Sequence, residues 1–313
     1  MQKKIPRKIV DGVLLLDKPL GLSSNQALQR IKWLLKAKKA GHTGNLDPLA
    51  SGVLPLCFGE ATKFASQGLD ADKVYVTRIQ LGETRDTGDA EGQVVERFVL
   101  PDLNAKYIQQ VLQSFLGKQQ QVPPMYSALK YQGQKLYELA RAGKSVERPP
   151  RDITLHQLEL LEFTSDSLTI QVHCSKGTYI RVLGEDLARA LGSGGYLASL
   201  RRTRSGDIGD DSLVTLPQLE AAFEQQGEAG ILQYLQPVDY LIQQLQKVQV
   251  NAEDAERLLH GQAVKLLDAP GAIGENVRLY TSDEHFLGMA QLQQDPVKDW
   301  LLQPVKMQNT ASD

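Results

Sequence analysis

The most informative stretch of the chain runs from Gly41 to Gly52 and reads GHTGNLDPLASG. Its glycines and threonine make a loop of little bulk, which another backbone can approach closely. The dipeptide Asp47-Pro48 is typical of a helix start, with aspartate as the N-cap and proline at the first helical position. The dipeptide alone therefore favours a structural role for Asp47 at the start of a helix.

The same aspartate is also suited to chemistry. A carboxylate at a helix N-terminus is held ionised by the helix dipole and by backbone N–H groups. An ionised, fixed carboxylate is what a nucleophile or base at a sugar carbon has to be. His42 is equally ambiguous, since a lone loop histidine is more often a surface or capping residue. The residues alone leave both interpretations open.

The segments around this loop predict an α+β protein, because strands and helices mix without a regular βαβ alternation. Residues 12–17 read as a buried strand, after which Ser23 and Ser24 can cap an amphipathic helix. Residues 247–305 hold short strand-like runs separated by Gly, Pro and Asp, which indicates a small β-rich module. We predict further strands over 73–82, 153–162 and 167–174, helices over 104–116, 178–191 and 216–246, and a polar loop over 83–92.

Composition and charge fit a two-part globular protein. The chain has 313 residues, of which 42% are hydrophobic and 23% charged, and this length is comfortable for two domains. Residues 1–206 carry 29 Lys and Arg against 20 Asp and Glu, whereas residues 207–313 carry 6 against 17. The basic part suits a polyanionic partner, because Lys and Arg gain by releasing counterions from phosphates.

Several classes of protein are excluded by the sequence. Cys57 and Cys174 lie in apolar settings without metal or disulfide spacing, so we expect two buried thiols. The apolar run near the N-terminus is interrupted by Asp11 and is too short for a signal peptide. No stretch approaches membrane-spanning length, and no P-loop or dinucleotide fingerprint is present. We therefore predict a cytoplasmic protein with no membrane association, no metal and no cofactor.

Several blocks of the sequence are similar to the motifs of one enzyme family. The stretch from Gly41 to Gly52 closely resembles the GHTGxLDPxAxG motif of the TruB family, the tRNA pseudouridine-55 synthases. A single block would be a weak signal, but these follow the family's order across residues 12–206 and are very specific. The other similar blocks are LLLDKP at 14–19, DKVY at 72–75, QVPPMYSALK at 121–130, CSKGTYIR at 174–181 and LRR at 200–202.

The resemblance implies a fold and a substrate. The expected fold is a mixed, mainly antiparallel sheet of the pseudouridine synthase type with flanking helices, plus a small C-terminal β-rich PUA-like domain. The catalytic domain is expected at residues 1–245 and the RNA-binding PUA-like domain at 246–313, with Gln308 to Asp313 as a short flexible tail. The implied substrate is the T-stem and loop of tRNA, bound by a monomer that requires no protein partner.

The resemblance also assigns the catalytic residues. The family's enzymes are isomerases that break the bond between uracil N1 and the ribose and rejoin the base through C5. Asp47 takes the role of the catalytic carboxylate, either as nucleophile at C1′ or as base at C2′, and Arg181 that of its ion-pair partner. Tyr75 is expected to stack on the uracil. By pattern alone, Tyr75 would be a core residue and Arg181 a surface residue on the first turn of a helix.

Further residues are implied in substrate binding. Tyr179 and Leu200 would form walls of the base pocket, and His42 would enter the RNA loop as the uridine is flipped out of its stack. The loop motif departs from the family pattern at Asn45, and the 83–92 loop departs in the order of its Thr and Arg. Basic side chains near the motifs are candidate phosphate contacts that would make binding salt-sensitive: Lys18, Lys63, Lys130, Lys176, Arg201 and Arg202.

Three alternatives remain at this stage. The chain could be a non-catalytic tRNA folding chaperone on the same scaffold, although the intact Asp47 motif argues against this and the family allows both activities. It could hydrolyse the N-glycosidic bond, but most glycosidases use two carboxylates, and the nearest second one, Asp17, has no obvious partner role. A relative acting with a guide RNA and protein partners is disfavoured, because the chain has no basic extension or low-complexity tail.

Overall fold

The structure is a computed structural model and describes residues 6–266, 268, 270–297 and 299–309. Strands dominate its first part. They are β1 (Gly12–Lys18), β2 (Ala40–His42), β3 (Ala50–Phe58), β4 (Lys73–Leu81), β5 (Glu83–Arg85), β6 (Val94–Arg97), β7 (Gly117–Gln121), β8 (Lys130–Tyr131), β9 (Gln134–Lys135), β10 (Arg151–Phe163), β11 (Ser167–Cys174), β12 (Gly195–Ser205), β13 (Ile208–Gly209), β14 (Val214–Thr215) and β15 (Leu235–Gln236).

The central sheet has the order β14-β1-β3-β12-β4-β11-β10-β7. Its pairings are antiparallel except for β1 with β14 and β3 with β12, which are parallel. The predicted α+β class with a mainly antiparallel sheet is therefore confirmed. The strands predicted over 153–162 and 167–174 are confirmed as the antiparallel pair β10 and β11. The polar loop predicted over 83–92 is partly wrong, since β5 pairs with β6 there.

Helices flank the sheet, and none in the described chain is both long and apolar enough to cross a bilayer. The first helix begins at a capping box made by Ser23 and Gln26, as the sequence indicated. The helices are α1 (Ser24–Leu34), α2 (Ala65–Asp70), α3 (Ala105–Ser114), α4 (Leu136–Arg141), α5 (Ile180–Ala190), α6 (Leu216–Gln226), α7 (Glu228–Leu232) and α8 (Ala252–Leu259), with 3-10 turns at Gly59–Lys63 and Tyr240–Ile242.

The helix predicted over 216–246 is wrong in its length. Gly227 adopts a φ of 62°, which separates α6 from α7. Pro237 lacks the N–H group that a continuing helix needs. The chain consequently leaves α7 at Leu232 for the short strand β15 and a 3-10 turn.

One apolar core joins the central sheet to α1, α3, α5 and α6. Both cysteines are buried, with exposures of 0% for Cys57 and 1% for Cys174, as expected. Burial raises the pKa of each thiol to about 12. Since the thiolate is the reactive form, both side chains are chemically inert at neutral pH.

The C-terminal part forms a second sheet with an apolar core of its own, centred on Leu258, Leu279 and Leu302. Its strand order is β16-β18-β19-β20-β17, with α8 packed against it. The expected β-rich C-terminal domain is therefore confirmed. Its strands are β16 (Lys247–Val250), β17 (Val264–Leu266), β18 (Asn276–Thr281), β19 (Phe286–Gln294) and β20 (Trp300–Met307).

This C-terminal module packs against α2 and the 3-10 turn that precedes it. Lys63 Nζ donates to the Met307 carbonyl at 2.8 Å, and the rings of Phe64 and Phe286 lie 5.5 Å apart. On its other side α2 supports the loop that follows β2. A Cβ at Gly68 would lie 2.8 Å from the side chain of Thr43, so the two segments are in direct contact.

The flexible tail expected from Gln308 to Asp313 is wrong for its first two residues. The Gln308 N–H donates to the Leu287 carbonyl at 2.8 Å, and the Asn309 N–H donates to Glu60 Oε2 at 2.8 Å. These bonds fix the segment to both β19 and the 3-10 turn. Residues 310–313 of the expected tail lie outside the described residues.

A buried ion pair ties the module to the segment that leads into it. Arg278 Nη1 lies 2.7 Å from Asp239 Oδ2, and the two side chains are 15% and 5% exposed. The Tyr280 hydroxyl donates to the same carboxylate oxygen at 2.5 Å, and Arg278 Nε donates to the Leu245 carbonyl at 2.9 Å. The pair is well hydrogen-bonded, which is the condition under which buried charges are tolerated.

Asp239→Ala should lower the free energy of unfolding by about 3 kcal/mol, because it leaves the Arg278 guanidinium buried without its partner. Urea denaturation followed by the fluorescence of Trp300, in a background with exposed Trp33 replaced by Phe, measures the change. Asp283→Ala is the control, since that carboxylate is 72% exposed and its loss should leave the free energy of unfolding nearly unchanged. Equal effects from the two substitutions would contradict the prediction.

Candidate active site

Asp47 lies in a turn between β2 and β3, and not at the start of a helix. Its carbonyl accepts a hydrogen bond from the Ala50 N–H at 3.0 Å, after which the chain enters β3 directly. The helix N-cap predicted from Asp47-Pro48 is therefore wrong. β3 runs parallel to β12 here, and a Cβ at Gly52, whose φ is +103°, would lie only 2.1 Å from the Arg202 carbonyl. This close approach requires glycine and fixes the position of the turn.

Arg181 is brought to Asp47 by the first turn of α5. Its Nη2 lies 3.1 Å from Asp47 Oδ2, with the Arg181 side chain 7% exposed and the Asp47 side chain 44% exposed. Backbone carbonyls hold the guanidinium from two other loops, through Nη1 to Thr87 at 2.8 Å and Nη2 to Tyr126 at 2.6 Å. The result is a fixed cation beside a carboxylate that outside molecules can reach.

Asp89 is a second carboxylate of the site, and the sequence reasoning missed it. It is 4% exposed, and its Oδ2 lies 3.7 Å from Arg181 Nε. Its other oxygen accepts hydrogen bonds from the Thr87 hydroxyl at 2.6 Å and the Glu91 N–H at 3.1 Å. The available signal was its place in the 83–92 loop, which resembles a motif of the TruB family, but that motif contains both Asp86 and Asp89 and does not distinguish them. Arg181 therefore lies between two carboxylates, one buried and one accessible.

Several groups act on the pKa of the Asp47 carboxyl, and together they raise it. Burial among the groups of the cleft raises the pKa of the carboxyl above its ordinary value, and Asp89 raises it further. Arg181, and to a smaller extent Lys18, lower it. The sequence predicted that a helix N-terminus keeps this carboxylate ionised; the stabilising charge comes instead from Arg181. Asp47 is thus a carboxyl whose pKa is raised on balance, because burial outweighs the opposing charge of the neighbouring Arg181.

Lys18 lies at the end of β1 with an exposure of 0%. Its Nζ donates to the carbonyls of Pro19 at 2.7 Å and Leu22 at 2.5 Å. Burial lowers its pKa to about 8, while the nearby Asp47 acts to raise it. The predicted phosphate contact is wrong for this residue, because a wholly buried amine with two backbone partners is not presented to RNA. It contributes a fixed positive charge beneath the site.

Tyr75 and Leu200 are both in the apolar core, at 9% and 8% exposure. Tyr75 is on β4 opposite Arg202 of β12, and Leu200 is opposite Ala50, three residues after Asp47. Burial raises the pKa of the Tyr75 hydroxyl, and the charge of Asp47 acts in the same direction. Both side chains are therefore placed around the carboxylate, and their predicted contacts with uracil remain predictions.

Tyr179 is fixed by its backbone, which exchanges two hydrogen bonds with the Gln121 side chain at 2.8 and 3.1 Å. Its half-buried ring is near enough to Asp47 for that carboxylate to add to the rise in its pKa, of which burial is the main cause. His42 is half-buried in β2, and burial lowers its pKa, so the imidazole is neutral at pH 7. Their proposed roles in RNA binding are compatible with these positions.

Arg202 is a second feature that the sequence did not reveal. It was a candidate phosphate contact, yet it is 1% exposed and its Nε donates to the Val53 carbonyl at 2.7 Å. That prediction is therefore wrong. Its charge acts on the pKa values of His42, Tyr75 and Lys18. Arg202 is thus a cation buried against the loop that carries Asp47.

The other basic candidates differ in their availability. Lys130 is exposed on β8, and Lys176 is 60% exposed in an ion pair with Asp70. Arg201 is paired with Asp17, with Nη1 3.0 Å from Oδ1. Asp17 was the second carboxylate considered for the glycosidase alternative, and its place in this ion pair supports a structural role. Lys63 contacts the C-terminal module. Lys130 and Lys176 remain the best predicted phosphate contacts.

Comparison with known families gives three matches along the chain. Residues 32–180 match the TruB family pseudouridylate synthase (N terminal domain). Residues 181–243 match the tRNA pseudouridylate synthase B C-terminal domain, and residues 247–297 match Pseudouridine synthase II TruB, C-terminal. The first two matches contain all the residues assigned to the site except Lys18.

Individual relatives match over nearly the whole chain. A tRNA pseudouridine synthase B from Dechloromonas aromatica is 52% identical over 280 residues, covering 90% of this chain and 91% of the relative. One from Chromohalobacter salexigens is 48% identical over 303 residues, covering 97% and 96%. A solved chain from a Cbf5-Nop10-Gar1 complex has a TM-score of 0.72 at 28% identity, covering 95% of this chain and 84% of that one.

The fold and the accessible carboxylate held by a buried arginine thus define a pseudouridine synthase. With about half of its residues identical to named relatives over most of its length, the chain belongs to the TruB family. It is accordingly an isomerase, as the sequence blocks predicted.

The rate of uridine isomerisation should fall as the pH falls through the pKa of Asp47, because only the ionised carboxylate is active. Burial raises this pKa, so the midpoint should lie above the ordinary value of 3.8. Asp89→Asn removes a neighbouring negative charge and should move the midpoint to lower pH while slowing the maximal rate. Single-turnover assays over a pH series measure both, and an Asp89→Asn midpoint at or above that of the wild type would contradict this assignment.

Arg181→Lys should lower kcat at least 100-fold, because lysine keeps the charge but cannot direct several fixed donors at once. RNA affinity should change less than about threefold, since the side chain is buried beneath the reactive carboxylate. Arg189→Lys on the same helix is the matched control: its side chain is 77% exposed. Full activity in Arg181→Lys would contradict the prediction, because it would show that the contacts of Arg181 with both Asp47 and Asp89 are dispensable.

Proposed function

We propose that this chain converts the uridine at position 55 in the T-loop of tRNA into pseudouridine, with Asp47 as its catalytic carboxylate. The observation that carries the proposal is the 3.1 Å contact between accessible Asp47 and buried Arg181. It places a fixed cation beside a carboxylate at a position that a nucleotide can enter. The tRNA substrate is that of the relatives named tRNA pseudouridine synthase B.

The chemistry requires little beyond this carboxylate and a closed pocket. Asp47 acts on the ribose, either by attack at C1′ or by removal of the C2′ proton, and the bond from C1′ to N1 breaks. The uracil turns so that C5 faces C1′, and the new carbon–carbon bond forms. C5 then loses its proton to water and N1 gains one, so that the overall reaction is an isomerisation without redox change.

The surrounding side chains suit a nucleotide that has left its stack. Tyr75, Tyr179 and Leu200 offer apolar and aromatic surface around Asp47, on which a flat base can pack. The neutral imidazole of His42 lies in the adjacent loop and can fill the space that the uridine vacates. Eversion costs a few kcal/mol of lost stacking, which such contacts offset.

The proposal extends to the organisation of the chain. Residues 1–245 form the catalytic domain and residues 246–313 the PUA-like RNA-binding domain, a division supported by the two separate apolar cores. We further propose that the protein acts in the cytoplasm as a monomer without a protein partner. Size-exclusion chromatography with light scattering tests the monomer, and activity of the purified chain alone tests the absence of a partner.

A T-loop transcript with tritium at C5 of its uridines tests the function directly. The wild type should release one tritium per transcript, and Asp47→Asn should release none while binding the RNA within about threefold of the wild-type affinity, since the substituted group is isosteric. Free uracil among the products would instead indicate glycosidase activity. An Asp47→Asn protein that retains every function of the wild type would support the chaperone alternative and overturn the proposal.

A further inference from the structure

A cluster of metal-ligand side chains lies on neighbouring strands of the central sheet, and none of its members is among the residues assigned to the candidate active site. It consists of Asp72, immediately before β4, His173 on β11 and His156 on β10. Asp72 Oδ2 lies 3.1 Å from His156 Nε2 and 4.0 Å from His173 Nε2. One ligand atom from each residue lies within 4.8 Å of the other two. The mechanism proposed above uses none of these side chains.

The backbone of β10 is irregular at the point where it contributes to this cluster. Leu155 is paired with Cys174 and Gln157 with His173, so that His156 is an extra residue in a β-bulge. A bulge redirects a side chain that regular alternation would place elsewhere. Here His156 joins His173 on the outer side of the sheet, with their ring centroids 4.8 Å apart.

The spacing of the ligand atoms suits a small divalent ion. Zinc binds histidine nitrogen at about 2.0–2.1 Å in tetrahedral geometry, which places two ligand atoms about 3.3 Å apart. The separations of 3.1 and 4.0 Å from the carboxylate bracket this distance. The side chains are 28% to 48% exposed, so that an ion can enter and the rings can adjust. Two imidazoles and one carboxylate leave a fourth position for water.

The chemistry of the three side chains suits a dication. The two imidazoles supply nitrogen ligands, which bind a metal in their neutral form. The Asp72 carboxylate supplies an oxygen ligand and the negative charge that a dication needs.

We propose that Asp72, His156 and His173 form a binding site for one divalent transition-metal ion, with Zn²⁺ as the ion that the geometry fits best. The bound ion would join the start of β4 to β10 and β11. Asp72 is three residues before Tyr75, so the site would stabilise the strand that carries this ring. The inference does not rest on the proposed function, because metal binding can be measured without RNA.

Isothermal titration of ZnCl₂ into the untagged, chelator-treated full chain tests the site. The wild type should bind one ion per chain with micromolar or tighter affinity, and His156→Ala and His173→Ala should each weaken binding at least tenfold. His285→Ala is the matched control, because His285 is 78% exposed beside Asp283, and among the described residues this pair has no third ligand close by. It should bind Zn²⁺ as the wild type does.

Visible absorption of bound Co²⁺ provides a second measurement that does not depend on affinity. An intense spectrum, typical of four-coordinate cobalt, should appear with the wild type and disappear in the His156→Ala/His173→Ala double variant. Circular dichroism verifies that the variants are folded. Absence of stoichiometric binding by the wild type, or unchanged binding by the folded double variant, would overturn the proposal.

Discussion

The loops around Asp47 depend on the contacts that the Arg181 guanidinium makes. It lies almost wholly out of water, where an unpaired charge would be very costly. Its donors go to the carboxylates of Asp47 and Asp89 and to the backbone carbonyls of Thr87 and Tyr126. Three loops of irregular structure thus acquire one geometry from a single side chain. The Asp47 carboxylate is held in place because its partner, Arg181, is also bonded to the two other loops.

The site has an accessible negative charge above buried positive charges. Beneath the accessible Asp47 carboxylate lie the buried cations of Lys18 and Arg202, each held by backbone carbonyls. Removing these two charges from water lowers the free energy of unfolding, and active sites commonly tolerate such a loss of stability. The charge of Lys18 opposes the rise that burial causes in the pKa of Asp47.

The sequence predicted the order of elements, the sheet class and the pairing of Asp47 with Arg181, because these depend on local periodicity and on long motifs. It did not predict the path after Asp47. Asp-Pro favours a helix start locally, but pairing of Ala50 with Leu200 across the sheet draws the chain into β3. Nor did it predict the burial of Lys18 or the inward turn of Asp89, because both are decided by contacts between segments far apart in sequence.

The contact between β20 and the segment around Lys63 has a consequence for biosynthesis. This strand leaves the ribosome after every other described strand, yet it packs against the turn and helix that support Thr43 in the catalytic loop. A nascent chain can therefore contain every residue of the active site while the support behind that loop is still missing. The contact behind this loop forms only after the ribosome has translated 244 residues beyond Lys63.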